Sequence, residues 1–221
     1  MTMFAQQRFL WLSGFLLFAL LGCERSQEDK PGRVVEPYSP PDPGFLMNAE
    51  FTPDGAGKLP HWALSQHSSN TSYALSLEEQ GVVIERTGVE PWGKLRQNFS
   101  RADIKPLLGK TLAFSAELKG SFTDEYGEPM EPPALTVLVK GVRKGTPAMM
   151  GSSVVLSEKA QMTAVPGEHD WQRYSVTFTL PAADLVQGTQ LEVAILHTMG
   201  GKLYARGPAL TEVSTEASEE P

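Results

Sequence analysis

Apolar and polar side chains alternate along much of the chain beyond residue 45. The clearest stretch is 111–119, where every second residue is apolar: Leu112, Phe114, Ala116 and Leu118. Two further stretches share this pattern, with apolar Tyr174, Val176, Phe178 and Leu180 in one and Leu191, Val193 and Ile195 in the other. A period of two puts successive side chains on opposite faces of a strand. One polar face per strand is typical of antiparallel sheets, so the pattern predicts an all-β fold.

Twelve short segments of this kind lie between turns rich in Gly, Pro, Asn and Asp, and no helical period competes with them. The predicted strands are 47–51, 62–66, 73–77, 81–86, 93–99, 111–119, 135–141, 153–156, 172–180, 190–197, 202–206 and 209–213. Residues 101–105 predict one helical turn before Pro106, and residues 121–133 predict an acidic loop. Many short strands joined by turns favour an antiparallel β-sandwich or a barrel.

The first 22 residues have the parts of a secretory signal peptide. Arg8 supplies a positive charge, and the apolar run 9–21 is interrupted only by Ser13 and Gly14. The run is shorter than the roughly 20 apolar residues that a membrane-spanning helix needs. It ends next to Cys23, which is the only cysteine in the chain.

The segment Leu20-Leu21-Gly22-Cys23 resembles the bacterial lipobox, although Leu21 stands where a small residue is more usual. The resemblance implies a diacylglyceryl group on the Cys23 sulfur, cleavage before Cys23, and acylation of the new amino group. Acyl chains contribute about 0.8 kcal/mol per buried CH₂, so several of them anchor a protein firmly to a membrane. Glu24, in place of the Asp that retains many lipoproteins in the inner membrane, favours the outer membrane of a bacterial envelope. The alternatives are an uncleaved transmembrane anchor and an ordinary signal with an incidental cysteine.

Charge and composition exclude several classes of function. Without residues 1–22 the chain loses Arg8 and no acid, which leaves 18 basic and 26 acidic side chains and a formal net charge of −8. A nucleic-acid-binding protein needs clustered Lys and Arg, and the sequence has no such cluster. With Cys23 acylated, no cysteine remains for disulfides, zinc thiolates or thiol catalysis. About 170 residues can bury a sufficient hydrophobic core, so one domain is expected.

The predicted domain plan has four parts. Residues 1–22 are the lipoprotein signal peptide, and residues 23–44 form the acylated N-terminus with a proline-rich tether. Such a tether is extended, at about 3.1 Å per residue, although part of it could instead pack on the edge of the domain. Residues 45–213 form the β-sandwich, and residues 214–221 form an acidic disordered tail.

Six short motifs follow one another through the predicted sandwich. They are Asn48-Ala49-Glu50-Phe51, Trp62-Ala63-Leu64, and the stretches 91–97, 107–115, 171–181 and 210–213. In this order they resemble the galactose-binding-like jelly rolls found among carbohydrate-binding modules, especially those attached to xylanases and glucanases. The motifs mostly specify the fold, so the resemblance implies a jelly roll and says less about a ligand.

The resemblance also implies a structural Ca²⁺ site, because the family usually has an Asp in the penultimate strand. Here that strand reads Leu203-Tyr204-Ala205-Arg206, with Arg206 where the Asp would fall. A guanidinium repels Ca²⁺, which requires oxygen ligands. We therefore expect no metal at this position and an ion pair between Arg206 and an acid such as Glu50.

The family often binds its ligand in a concave cleft, using residues on the strand that corresponds to 93–99. Sugars stack on exposed aromatic faces and bond their hydroxyls to planar polar groups. The candidate carbohydrate-binding residues are Trp92 and Gln97, with Arg86 and Tyr126 as weaker additions. The alternatives are packing in the core or rim for Trp92, and a buried amide that bonds to backbone for Gln97.

Other residue types carry no clear chemistry. Trp62 and Trp171 are expected in the core. The loop acids predict a solvated surface rather than a metal site or paired catalytic carboxylates: Asp124, Glu125, Glu128 and Glu131. The four histidines are expected at polar strand ends or in turns: His61, His67, His169 and His197. Of these, only His197 falls on a predicted strand. The mature chain has no Gly-x-Ser-x-Gly, His-Glu-x-x-His or phosphate-binding glycine loop, so neither a catalytic residue nor a cofactor is predicted.

Two hypotheses of different classes follow. The leading one is a non-catalytic, acyl-anchored envelope lipoprotein that binds a glycan on one face of its sandwich. The second is a structural or assembly lipoprotein that uses the sandwich to contact a protein partner and has no sugar site. An enzyme is third. A solvent-facing Trp92 beside Gln97 in a groove would favour the first hypothesis, and burial of both side chains would favour the second.

Overall fold

A computed structural model describes residues 38–68, 71–78, 81–147 and 151–213. The predicted signal peptide, Cys23 and the tail 214–221 lie outside these ranges, so the expectations about them stay predictions. The helices and strands described below belong to the compact unit Ser39–Pro221. Within the described ranges, none of the helices combines the length and the apolar character needed to cross a bilayer.

Ten strands of the described chain form two five-stranded antiparallel sheets, which confirms the predicted β-sandwich. The first sheet contains, in spatial order, β1 (Ala63–Gln66), β4 (Gly93–Phe99), β9 (Val186–His197), β6 (Ala134–Arg143) and β7 (Ser153–Gln161). The second sheet contains β2 (Tyr73–Glu78), β3 (Gly81–Arg86), β10 (Gly200–Glu212), β5 (Thr111–Thr123) and β8 (Gly167–Thr179). A helical turn α1 (Arg101–Ile104) and a 3₁₀ turn (Lys105–Leu107) follow β4, close to the predicted helical turn.

The core lies between the two sheets and uses the predicted alternation. On β5 the four apolar side chains of the predicted alternation are each 0% exposed: Leu112, Phe114, Ala116 and Leu118. On β8, Val176 and Phe178 are buried, whereas Tyr174 is only partly buried. Burial stabilises such a core by roughly 25 cal/mol per Å² of apolar surface, which is the main term available to a domain without disulfides.

The strand predicted at 47–51 does not form, and this prediction is wrong. Asn48 and Phe51 have φ angles of 50° and 53°, which no β-strand contains. The Asn48 side chain stabilises the turn, because it accepts from the Thr52 N–H at 2.8 Å and donates to the Thr52 and Pro60 carbonyls at 2.9 and 3.1 Å. Asn tolerates positive φ better than most residues, so this turn replaces a strand.

The two strands predicted at 202–206 and 209–213 are one strand, β10. Its pairing with β5 shifts register between Arg206 and Ala209, so the sequence pattern breaks although the strand continues. Strands β5 and β8 are also longer than predicted, by four residues at the end of β5 and by five at the start of β8. His169 therefore lies on a strand, contrary to the expectation that only His197 does.

Candidate functional site

The outer face of the first sheet carries a groove that crosses β4, β9, β6 and β7. One half has a volume of about 270 Å³ and is lined by Trp92, Lys94, Thr136, Ser157, Lys159 and Glu192, among others. The other half has a volume of about 340 Å³ and is lined by Arg96, Asn98, Arg101, Lys140, Gln190 and Glu192, among others. Leu138 and Glu192 line both halves, so the two form one surface, which we call the polar groove.

The pleat of the strands places polar side chains in this groove. On β4, Leu95 and Phe99 point into the core, so Lys94, Arg96 and Asn98 point outward. The register sets Asn98 opposite Glu192 of β9, and Glu192 opposite Leu138 of β6. Side chains far apart in sequence therefore line one surface on rigid strands.

Glu192 is the electrostatic centre of the polar groove. Its carboxylate accepts from Lys94 Nζ at 3.2 Å and from Arg96 Nη1 at 3.0 Å. Burial acts to raise the pKa of Glu192, but the bond from Arg96 and the charge of Lys94 outweigh it and hold that pKa below its ordinary value. The carboxylate is therefore ionised and fixed, which orders both cations before any ligand arrives.

Trp92 is partly exposed at one end of the polar groove. Lys94 Nζ lies 5.2 Å from the centroid of the indole ring, and the edge-on His67 ring lies 6.0 Å away. Gly93 fixes this position, because a Cβ there would lie 2.5 Å from the Tyr73 ring. The Trp-Gly pair thus lets β4 approach Tyr73 closely while Trp92 stays at the surface.

Gln97 has no surface to offer a ligand. Its side chain is 0% exposed and faces inward. Its Oε1 accepts from the Met47 N–H at 3.0 Å, and its Nε2 donates to the Met47 carbonyl at 2.8 Å. Of the two possibilities for Gln97, the structure thus has the buried amide that bonds to backbone rather than the sugar contact. Its two hydrogen bonds attach Met47, just before the Asn48 turn, to β4. Gln97 is therefore left out of the candidate site.

Arg86 and Tyr126 lie together, but neither lines the polar groove. Arg86 is 8% exposed and donates to the carbonyls of Gly88, Val89 and Thr198 at 3.1, 3.1 and 2.9 Å. Tyr126 is partly exposed and covers the guanidinium, whose Cζ lies 4.4 Å from the ring centroid. Because the guanidinium donates to three backbone carbonyls, Arg86 has a structural role and does not contact sugar hydroxyls.

The end of β9 holds a buried histidine. His197 is 0% exposed, and its Nε2 lies 3.0 Å from the carbonyl oxygen of Gly201. Burial lowers the pKa of His197 to about 4, so the ring is neutral near pH 7. Among the described residues its Nδ1 has no hydrogen-bond partner. Rings of Tyr73 and Phe122 lie 5.7 and 5.9 Å away and close the site to solvent.

Trp62 lies in the core as predicted, but the prediction for Trp171 is wrong. Trp62 is 6% exposed and donates from Nε1 to the Asn48 carbonyl at 3.0 Å. Trp171 is partly exposed on the outer face of the second sheet, where it lines a cavity of about 720 Å³. The alternation contained this result, because the odd-numbered residues from Arg173 to Thr179 face outward and Trp171 continues that series.

The surface around Trp171 combines aromatic rings with cations. Arg206 Cζ lies 4.2 Å from the centroid of the Trp171 ring, and the Tyr204 ring lies edge-on to Trp171 at 6.4 Å. Lys119 Nζ lies 5.1 Å from the Tyr204 centroid. We call Trp171, Tyr204, Arg206 and Lys119 the aromatic surface. It faces away from the polar groove, on the opposite sheet.

Arg206 forms the kind of ion pair that was predicted, with a different acid. Its Nε donates to Glu117 Oε2 at 2.7 Å across the β10–β5 pair, and Glu117 replaces the expected Glu50. Across the ranges that the structure describes, no group of three or more His, Cys, Asp or Glu side chains is placed to hold a metal ion.

No sequence profile of a known protein family matches the chain. No curated protein matches it either. Among solved structures, the chain is similar to one described as "CBM4 structure and function", with 15% identity, a TM-score of 0.45, and coverage of 76% of this chain and 99% of that one. A family 22 carbohydrate-binding module of Clostridium thermocellum Xyn10B gives 12% identity, a TM-score of 0.43, and coverage of 80% and 98%.

The enzymatically active domain of bacteriophage CBA120 tailspike protein 4 gives 9% identity and a TM-score of 0.47. The match covers 77% of this chain but only 22% of the tailspike chain. At these low identities and TM-scores the similarities assign neither a family nor a site to the chain. Two of these three structures are described as carbohydrate-binding modules, the family that the sequence motifs resemble.

Proposed function

We propose that the protein is a lipid-anchored, non-catalytic module that binds a carbohydrate in the polar groove. The observation that carries this proposal is the position of Trp92, partly exposed at the end of a groove lined by hydrogen-bonding side chains. An aromatic face that a sugar ring can cover, next to donors and acceptors for hydroxyls, is the chemistry of a carbohydrate site.

The preorganisation of the groove supports the proposal. Lys94 and Arg96 are held by Glu192, and all three project from the rigid strands β4 and β9. Side chains that are already ordered lose little conformational freedom on binding, so more of the interaction energy contributes to affinity. The groove is open along its length, which suits a chain-like ligand such as an oligosaccharide.

The location of the module belongs to the same proposal. Acylation of Cys23 would hold the protein at a membrane, and the segment from 24 to about 42 would separate the sandwich from the lipid surface. The end of the predicted tether packs on the sandwich instead, because Pro43 and Phe45 form backbone hydrogen bonds with Leu210 of β10. Glu24 favours the outer membrane. Replacement Cys23→Ser should abolish labelling by radioactive palmitate and release the protein from the membrane fraction. Unchanged labelling would contradict the lipobox interpretation.

Binding is tested with the full chain, extracted in a detergent without a sugar headgroup and applied to a panel of immobilised polysaccharides. We expect retention on at least one polysaccharide, and we expect Trp92→Ala to lose that retention. The matched control is Trp171→Ala, which removes an indole from the opposite sheet and should leave retention unchanged. If no polysaccharide retains the protein, or if Trp92→Ala binds like the native chain, carbohydrate binding in the polar groove is wrong.

The second candidate function is contact with a protein partner through the aromatic surface. Trp, Tyr and Arg are the residue types that dominate protein–protein binding energies, and three of them meet here. Leu77, which is 42% exposed, lines the same cavity and adds apolar area. A photo-crosslinking residue at position 204, in intact cells, tests this function. A discrete adduct that disappears with Trp171→Ala supports it, and the absence of any adduct contradicts it.

A further inference from the structure

The two ends of the polar groove differ in charge. The end away from Trp92 contains Arg96, Arg101 and Lys140, with Glu192 as the one carboxylate among its lining residues. Asn98 and Gln190 add neutral amides to the same lining. We call this half the cationic end. The whole chain carries a formal net charge of −7, so an excess of cations in one cavity runs against its overall balance.

The ion pairs of the groove leave part of this positive charge uncompensated. Glu192 is shared by two cations, Lys94 and Arg96, so one carboxylate balances one of two charges. Neither Arg101 nor Lys140 forms an ion pair with another described residue. At the Trp92 end, by contrast, Lys159 is paired with Glu131. The excess of cations over carboxylates is therefore larger at the end away from Trp92, where three cations share the lining with one carboxylate.

Arg96 also has an unused donor. Its Nη1 donates to Glu192, but its Nε is buried and has no hydrogen-bond partner among the described residues. That nitrogen is closed to solvent, whereas the Arg96 side chain as a whole is 36% exposed, so a ligand would contact the outer nitrogens of the guanidinium. A carboxylate is well suited, because a guanidinium offers parallel donors that match its two oxygens.

Local structure fixes Arg101 beside the groove. Ser100 and Asp103 form a capping box, with Asp103 N–H donating to Ser100 Oγ at 3.3 Å and Ser100 N–H donating to Asp103 Oδ2 at 3.0 Å. Asp103 is the acid of this turn, and its carboxylate is occupied by the Ser100 N–H. The Arg101 guanidinium packs against Gly188 at the start of β9. A side chain at position 188 would place its Cβ only 3.2 Å from Arg101 Nη2.

The groove has the length of a short oligosaccharide. From Trp92 to Asn98 the chain advances six residues in extended conformation, which is roughly 20 Å at 3.3 Å per residue. A monosaccharide is too small to reach both ends. A ligand that uses Trp92 and the cationic end together is therefore a chain of several sugars.

We propose that the ligand of the polar groove is an acidic polysaccharide, with the carboxylate of a uronic acid at the cationic end and a sugar ring against Trp92. This inference rests on the proposed carbohydrate binding and specifies its substrate class. Arg101, Lys140 and the exposed part of the Arg96 guanidinium bind the carboxylate, while Asn98 and Gln190 bond to neighbouring hydroxyls.

The test compares matched acidic and neutral ligands on the full chain in detergent. Polygalacturonate, alginate and glucuronoxylan are offered beside their carboxyl-reduced forms, in which each uronic acid is converted to the neutral sugar. We expect at least one acidic polymer to bind about tenfold or more tightly than its reduced form, and salt to weaken that preference. Equal binding of an acidic polymer and its reduced form would overturn the inference and leave the proposed function standing. Binding of a neutral polysaccharide alone would also overturn the inference, and if no polysaccharide binds at all, the proposed function itself is contradicted.

Variants locate the effect. The double replacement Arg101→Gln with Lys140→Gln should lower affinity for the acidic polymer about tenfold and leave the reduced form unaffected. Lys58→Gln with Lys202→Gln, which removes two charges from the other sheet, is the matched control and should change neither. If this control has the same effect as the first double replacement, general electrostatics explains the preference and the inference fails. If inorganic sulfate or a sulfated neutral glycan competes as well as free galacturonate, the site recognises anions in general and the assignment of a uronic acid is wrong.

Discussion

Acidification should destabilise the sandwich through His197, and the structure gives the size of the effect. An unfolded chain binds a proton at this histidine below its ordinary pKa of 6.5, whereas burial in the folded chain lowers that pKa to about 4. Between these values the unfolded state binds more protons than the folded state, so stability falls as the pH falls. The interval of about 2.5 pH units, at 1.36 kcal/mol each, corresponds to about 3 kcal/mol, which is a large part of the stability of a typical domain.

The assay is urea unfolding of the full chain, followed by tryptophan fluorescence at a series of pH values from about 7 to about 4. The reference is His197→Gln, whose side-chain amide can still donate to the Gly201 carbonyl but does not titrate. Other acids titrate in both proteins, so the difference between the two curves isolates the histidine. We expect the native chain to lose about 3 kcal/mol more than the variant over this interval. Parallel curves would show that His197 is protonated equally in both states and would refute the reasoning.

Three further stability predictions follow from single side chains. Gln97→Leu should lower the free energy of unfolding by about 2–4 kcal/mol, because the Met47 N–H and carbonyl lose their partners in a buried site; a loss below 1 kcal/mol in urea unfolding would contradict the role assigned to this amide. Arg86→Lys should cost about 1–3 kcal/mol, since one ammonium cannot reach the three carbonyls that the guanidinium bonds, and thermal unfolding at pH 7 would measure it. Trp62→Ala should lower the free energy of unfolding by about 3–5 kcal/mol, because Trp62 is buried, and Trp171→Ala by about 1 kcal/mol or less, because Trp171 is partly exposed. Equal losses would show that both indoles are core residues.

The strands could be predicted because their signal is local. Alternation on 111–119 reports which residues face the core, and β5 places those residues there. The failure at 47–51 has a physical cause, because Phe51 at positive φ is uncommon and follows from the hydrogen bonds of Asn48 to residues 52 and 60. Nothing in the five residues themselves indicates those partners. The alternation on β8 predicts an outward Trp171, whereas the general tendency of tryptophan to be buried predicts a core position, and here the local alternation is correct.

The candidate site could be predicted only in part. The resemblance predicts Trp92 as a ligand contact, because carbohydrate-binding modules often use the strand that corresponds to 93–99 in their cleft. Gln97 could not be assigned, because its partner Met47 is 50 residues away and belongs to no strand. The cationic end depends on register, which sets Gln190 of β9 opposite Lys140 of β6. The local sequence pattern does not contain such pairings between distant strands. The cluster of cations, which exists only in three dimensions, therefore cannot be predicted from it.

The most direct test of the proposed site observes the indole groups themselves. In a two-dimensional nitrogen–proton NMR spectrum of the full chain in detergent, the indole N–H signals of Trp62, Trp92 and Trp171 are assigned by single replacements with Phe. The polysaccharide that the panel retains most strongly is then cut to oligosaccharides and titrated. Binding in the polar groove predicts a saturable shift of the Trp92 signal, with the Trp62 and Trp171 signals unmoved. A shift confined to Trp171 would place the ligand on the opposite sheet, and an unchanged Trp92 signal in the presence of a bound oligosaccharide would contradict the account.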